Sequence, residues 1–229
     1  MKNKTDIAIE AYDNVVDEYI EYFKSKDLKG NVQFQKEIDY VVSKLQDKAS
    51  ILDMGTAIGD YPKFLTEKCN KDFYVVGIDS SPNMLEKAKT NTPKANFELM
   101  DIRKLGFKEK SFDAIICFAI LTYVDDGDCL IVLDKVDKIL KDGGMIAINA
   151  LEFKDGDQKE MIIPEPFNPK YNNYYNRYTK QFFINYFNKK NYEILNFYDN
   201  PIFSSEKAGI FSTENQFSII VRKQFASKG

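Results

Sequence analysis

The sequence predicts an α/β fold: a doubly wound, seven-stranded sheet, mostly parallel with an antiparallel C-terminal strand, behind an N-terminal helical cap. Three observations predict it. Ile51-Leu52-Asp53-Met54 is a short apolar run that breaks into small residues, Gly55-Thr56-Ala57-Ile58-Gly59, and then into a helical pattern. Further apolar runs alternate with helical stripes as far as Leu151. That alternation implies right-handed crossovers and a parallel sheet buried on both faces. Beyond residue 190 two strand-like segments follow one another without a long intervening helix, as an antiparallel pair at a sheet end requires.

The elements follow in order. Residues 6–24 place Ile7, Ala11, Val15, Val16, Tyr19, Ile20 and Phe23 at helical spacing against an acidic face. Lys29-Gly30-Asn31 breaks this pattern, and a second helix is expected over 32–46. Strands are expected over 49–54, 73–79, 96–100, 112–118 and 145–151. Helices are expected over 59–69, with Pro62 in the first turn, and over 82–90, where Ser81-Pro82 supplies a cap and a first-turn proline. Another is expected over 126–141, with Leu130, Leu133, Val136 and Leu140 as its stripe and Gly143 as its stop. Residues 152–178 carry three prolines and four tyrosines and read as a long loop or lid. A helix over 179–189 and strands over 192–199 and 215–223 complete one domain: cap 1–47, core 48–151, lid-like insertion 152–178, end of the sheet 179–229.

Composition narrows the chemistry. The 229 residues are 44% hydrophobic and 29% charged, an ordinary globular balance. A net charge of −3 gives no basic footprint, so nucleic acid is not the expected partner. The N-terminus has no apolar signal region and no stretch has the continuous apolar length of a membrane span, which points to the cytoplasm. Cys69, Cys117 and Cys129 are scattered without metal-ligand spacing, so neither a disulfide framework nor a thiolate metal site is expected. There is no histidine, which removes Ser-His-Asp triads and imidazole ligands and leaves proton transfer to carboxylates, Tyr, Lys, Cys or water.

A strand, a glycine turn, a helix, and then Asp79 at the end of the next strand form a nucleotide-type cofactor site. Gly55 and Gly59 allow close backbone approach, and helix-start N–H groups favour an anion. Asp79 stands where a carboxylate accepts from two ribose hydroxyls. A dinucleotide fingerprint would need glycine at position 60, which is Asp60.

The spacing Asp53-x-Gly55-x-Ala57-x-Gly59 resembles motif I of the class I S-adenosylmethionine-dependent methyltransferases. Val76 to Leu85, Phe97 to Asp101, Ser111 to Ile116 and Leu140 to Gly144 resemble that family's later motifs in the same order. The resemblance is strong over residues 49–151 and looser from Tyr175 to Lys223. It implies a Rossmann-like fold with S-adenosyl-L-methionine as cofactor. It further implies that Gly55, Thr56, Ala57 and Gly59 wrap the methionine part, with Asp53 bracing the turn. Asp79 would hold the ribose, Ser80 and Met84 would border the adenine, and Asp101 and Ile102 would meet its amino group and ring. Phe118 and Ala119 would lie under the sulfonium. Ala57 departs from the family's middle glycine, and alanine does not relax at positive φ.

The methyl acceptor is expected to be a small molecule. Tyr123, Asp125 and Asp126, near the exit of the fourth strand, are candidates for proton transfer, the two acids being equally suited to cap a helix. Many relatives carry histidine in this loop, where Thr122-Tyr123 stands. Tyr12, Tyr19, Tyr171, Tyr174, Tyr175 and Tyr178, with Arg177, are candidates for lining a substrate chamber suited to a planar or cationic acceptor. The sequence leaves open a protein or nucleic-acid acceptor on the same fold, and a binding protein without catalysis.

Overall fold

The computed structural model describes residues 3–25, 32–201 and 215–225. The expected break at Lys29-Gly30-Asn31 lies outside them. The chain opens with three helices, α1 (Lys4–Asn14), α2 (Val16–Ser25) and α3 (Gln35–Lys44). Strands and helices then alternate: β1 (Ser50–Met54), α4 (Asp60–Glu67), β2 (Tyr74–Asp79), α5 (Pro82–Asn91), β3 (Asn96–Leu99), β4 (Phe112–Cys117), α6 (Asp126–Ile139) and β5 (Leu140–Leu151). A hairpin of β6 (Glu160–Pro164) and β7 (Asn172–Asn176) follows, then α7 (Lys180–Lys189), β8 (Tyr192–Pro201) and β9 (Asn215–Lys223).

Seven strands form one sheet in the order β3-β2-β1-β4-β5-β9-β8. Its first five strands are mutually parallel, and β9 runs antiparallel to both β5 and β8. The apolar runs explain this arrangement. Ile51, Leu52, Ile78, Ile115, Ile116, Ile146 and Ile148 are buried, as central parallel strands covered on both faces must be. One face packs on Val132, Val136, Phe183 and Phe187 of α6 and α7, the other on Ile38, Val41 and Leu65 of α3 and α4. Among the described residues no helix is long and apolar enough to cross a membrane.

Four local expectations need correction. The single helix expected over 6–24 is two helices, broken at Val15 (φ −116°, ψ 22°), where the Asn14 amide donates 2.8 Å back to the Glu10 carbonyl and ends α1. Gly143 does not stop α6: the helix ends at Ile139, and Gly143 (φ 77°) lies in an irregular opening of β5, where the pairing with β4 slips between Phe112 and Ala114. The buried face of α6 is Cys129, Val132, Leu133, Val136 and Ile139, while Leu130 points outward. The segment 152–178 contains a regular two-stranded ladder that pairs Met161 with Tyr175 and Ile162 with Tyr174.

Candidate functional site

The strand order reverses at β1, whose neighbours are β2 on one side and β4 on the other. Crevices open at such switch points, beyond the carboxyl ends of the strands. Here a cavity of about 970 Å³ lies between the β1 turn, the ends of β2 and β4, helices α1 and α2, and the segment around Glu165.

The turn after β1 is built on positive φ angles at Gly55 (74°), Ala57 (46°) and Gly59 (85°). A Cβ at Gly55 would fall 2.8 Å from Ile120 Cδ1, so glycine here lets the β4 exit close against the turn. Ala57 has no such freedom and holds a left-handed conformation against its preference. Ala57→Gly should therefore raise stability by about 1 kcal/mol, a few degrees in thermal midpoint. An unchanged midpoint would mean that the strain is absent.

Four donors of this turn are taken up inside the fold. Gly55 and Thr56 N–H both reach the Ile78 carbonyl at 2.9 Å, and Gly59 N–H reaches the Thr56 carbonyl at 2.9 Å. Ala57 N–H donates 2.9 Å to Asp79. Each of these four N–H groups has one proton and uses it inside the fold, so an anion at this turn would meet the start of α4 beyond them. Asp53 lies beneath the turn, 1% exposed, and accepts 2.6 Å from the Thr56 hydroxyl. Burial foremost, with Asp79 and Asp60 adding repulsion, pushes its carboxyl up to about 7 against the Thr56 hydrogen bond.

Asp79 ends β2 at the cavity wall. One carboxylate oxygen takes the Ala57 N–H and the other takes the Ser81 N–H at 2.9 Å. Desolvation raises its pKa, while the N–H groups of Ser81, Ala57 and Ser80 oppose the shift. Asp101 also lines the cavity, and Arg103 grips both its oxygens at 2.6–3.0 Å. Burial raises the Asp101 carboxyl, but the Arg103 contacts outweigh it and hold the group below its ordinary value. Arg103 also pairs with Asp6 at 2.7 Å and bonds Asn3 at 3.1 Å, tying the start of the chain to the end of β3.

Of the expected cofactor residues, Gly55, Thr56, Ala57, Asp79, Ser80, Met84, Asp101, Ile102, Phe118 and Ala119 line this one cavity. Asp53 and Gly59 lie behind it as supports. Ala119 is itself in a left-handed conformation (φ 52°), a second strained residue at the same mouth. Of the expected acceptor residues, Tyr12, Tyr19, Tyr123 and Tyr175 reach the cavity. The Tyr12 and Tyr123 hydroxyls are 2.5 Å apart, and burial foremost raises both phenols. They stay protonated at neutral pH.

Other candidates are placed elsewhere. Tyr178 is fully buried against Phe182 and Phe183 and donates 2.7 Å to the Val124 carbonyl. The Arg177 guanidinium bonds the Gln158 carbonyl away from the cavity. Tyr174 lies on the opposite face of β7 from Tyr175, as strand alternation dictates, and Lys4 sits over its ring. Tyr171 is not among the lining residues. Asp125 caps α6, accepting 2.8 Å from Asp128 N–H, and Asp126 pairs with Lys159 at 2.9 Å. Both acids are thereby accounted for structurally.

Sequence reasoning missed Phe167 and Glu165. Glu165 is 1% exposed and still lines the cavity. It accepts from the Asn173 amide at 2.5 Å, the Tyr175 hydroxyl at 3.2 Å and Phe167 N–H at 3.2 Å. The available signal was the alternation in Asn173-Tyr174-Tyr175-Asn176, which puts Asn173 and Tyr175 on one face.

Residues 51–144 match the model of a methyltransferase-domain family. The chain is 34% identical over 109 residues to the ubiquinone/menaquinone biosynthesis C-methyltransferase of Desulfotalea psychrophila, covering 46% of this chain and 43% of that one. It is 28% identical over 130 residues to the malonyl-[acyl-carrier protein] O-methyltransferase of Hamiltonella defensa, covering 56% and 48%. The chain thus spans about half the length of these curated relatives. The crystal structure of a Methanosarcina mazei S-adenosylmethionine-dependent methyltransferase superposes with a TM-score of 0.69 at 19% identity, covering 82% of this chain and 98% of that one. This last likeness is one of fold.

Proposed function

We propose, from the premise that residues 51–144 form a class I S-adenosylmethionine-dependent methyltransferase domain, that this protein transfers a methyl group from S-adenosylmethionine to a small molecule held in the same cavity. The observation that carries the reading is the division of hydrogen-bonding capacity around Asp79. The N–H groups of Gly55, Thr56, Ala57 and Gly59 are taken up inside the fold, so these four do not serve as a cradle for a pyrophosphate. Asp79 and Asp101 instead face the cavity as acceptors. Such a wall suits a ligand that brings hydroxyls, an exocyclic amine and positive charge, and S-adenosylmethionine brings all three. The residues present therefore fit this cofactor.

On this reading Asp79 accepts from the ribose hydroxyls with the lone pairs left by Ala57 and Ser81 N–H. Ser80, Met84 and Ile102 border the base, and Asp101, fixed by Arg103, accepts from its amino group. Gly55, Thr56 and Ala57 follow the methionine part, with Phe118 and Ala119 beside the reacting end. When bound, the sulfonium supplies an already activated methyl group. The protein is left to align the acceptor and exclude water. Helices α1 and α2 and the Glu165 segment do so as a lid over the acceptor side. Tyr123 positions the acceptor as a neutral hydrogen-bonding phenol, because it does not reach the phenolate at neutral pH.

The test is direct. Purified protein should bind S-adenosylmethionine and S-adenosylhomocysteine in calorimetry and ignore NADH. Labelled methyl groups should then appear in members of a metabolite pool read by mass spectrometry. NADH binding with neither sulfur ligand bound would overturn the reading.

A further inference from the structure

We propose that the acceptor is a cation, an alkylamine recognised as its ammonium ion by Glu165 within a cage of Tyr12, Tyr19, Tyr123, Phe167 and Tyr175. This rests on the methyl-transfer reading of the cavity and names the class of molecule that fills its second half.

The argument starts from an unbalanced charge. Glu165 is 1% exposed, and among the described residues no lysine or arginine forms an ion pair with it. Its hydrogen-bond partners, Asn173, Tyr175 and Phe167 N–H, are all neutral. A buried carboxylate without a counter-ion is costly, and desolvation accordingly raises its pKa. Such a carboxylate is relieved by a proton or by a cation, and Glu165 borders a cavity that a cation can enter.

The surrounding rings point the same way. Tyr12 and Tyr123 have centroids 5.0 Å apart at 71°, Tyr19 and Phe167 are 5.4 Å apart at 72°, and Tyr123 and Tyr175 are 5.5 Å apart at 56°. These five rings line the cavity beside Glu165, and aromatic π systems attract cations. A carboxylic acid or phosphorylated acceptor would instead meet Glu165 with like charge in a poorly screened site.

The chemistry balances. The bound ammonium gives one N–H proton to Glu165, whose raised affinity suits it to accept. The freed nitrogen lone pair forms the N–C bond as the S–C bond breaks, and that electron pair stays with sulfur, leaving a neutral thioether. The proton then passes from Glu165 to water on opening.

The test uses two probes of one shape: choline, and its uncharged carbon counterpart 3,3-dimethylbutan-1-ol. Binding is measured by calorimetry on the full chain, with and without saturating S-adenosylhomocysteine. Choline should bind at least tenfold more tightly than the alcohol. In Glu165→Gln the two should come within about twofold of each other while the S-adenosylhomocysteine affinity is retained, which also reports a folded protein. Tyr19→Leu, on α2, should weaken choline at least fivefold and the alcohol less than twofold. Equal affinities in the wild type, or a choline preference that survives both variants, would overturn the cation assignment. Failure of S-adenosylhomocysteine to bind, with the choline preference intact, would overturn the methyl-transfer reading and leave the cation site standing.

Discussion

Asp79→Ala should weaken S-adenosylhomocysteine binding by at least a hundredfold, without unfolding the protein. The carboxylate has two tasks. It offers charged acceptors to the cavity, where each hydrogen bond to a charged group contributes about 1.5–3 kcal/mol. Two such bonds amount to more than the roughly 2.7 kcal/mol that a hundredfold change in affinity represents. It also receives the Ala57 and Ser81 N–H groups at 2.9 Å, so its removal releases the glycine turn from the end of β2. Asp79→Asn separates the two tasks. It keeps one oxygen acceptor and the approximate shape, and should cost about tenfold. Calorimetry on both variants, with circular dichroism as a check on folding, gives the ordering. If Asp79→Ala binds within threefold of the wild type, the ribose assignment is wrong.

The parts of this site that were legible in the sequence share a physical cause. Central parallel strands are buried on both faces, so β1, β2, β4 and β5 stand out as apolar runs, and the turn between β1 and α4 announces itself by its glycines. The cofactor half of the cavity follows once those strands are placed, because it is assembled from strand ends. The acceptor half is built differently. Glu165, Phe167 and Tyr175 come from a hairpin whose second strand reads Asn-Asn-Tyr-Tyr-Asn, with no apolar alternation to distinguish it from a polar loop. Arg177 and Tyr178 follow two and three residues later, and Tyr178 is of the same type as Tyr175, yet Tyr178 packs into the core. The direction of a side chain after a short strand is a tertiary property. The break at Val15 had no Gly or Pro to mark it either, only Asn14 turning back on Glu10.

Asp53 carries the second large expectation, a stability that falls as the pH rises towards neutrality. Its carboxyl is pushed from an ordinary value of 3.8 up to about 7, burial being the main cause. Between those two values the folded protein holds a proton that the unfolded chain has released. Stability therefore decreases with rising pH across this window and levels off above it. At about 1.36 kcal/mol per unit, the loss from this one group is about 4 kcal/mol. Asp53→Asn keeps an oxygen to accept the Thr56 hydroxyl and carries no charge to bury. It should match the wild type within about 1 kcal/mol at pH 3–4 and exceed it by several kcal/mol at pH 8. Urea unfolding of both proteins across that range isolates the effect, since every other titrating group is common to the pair. Parallel stability curves would mean that Asp53 is ionised throughout. A widening gap would mean that the protein retains, directly beneath its cofactor turn, an acid that costs it stability at neutral pH. The compensation would then appear as tighter S-adenosylhomocysteine binding in the wild type than in Asp53→Asn, because a carboxylate accepts the Thr56 hydroxyl more strongly than a neutral amide oxygen does and so holds the turn more firmly before Ala57.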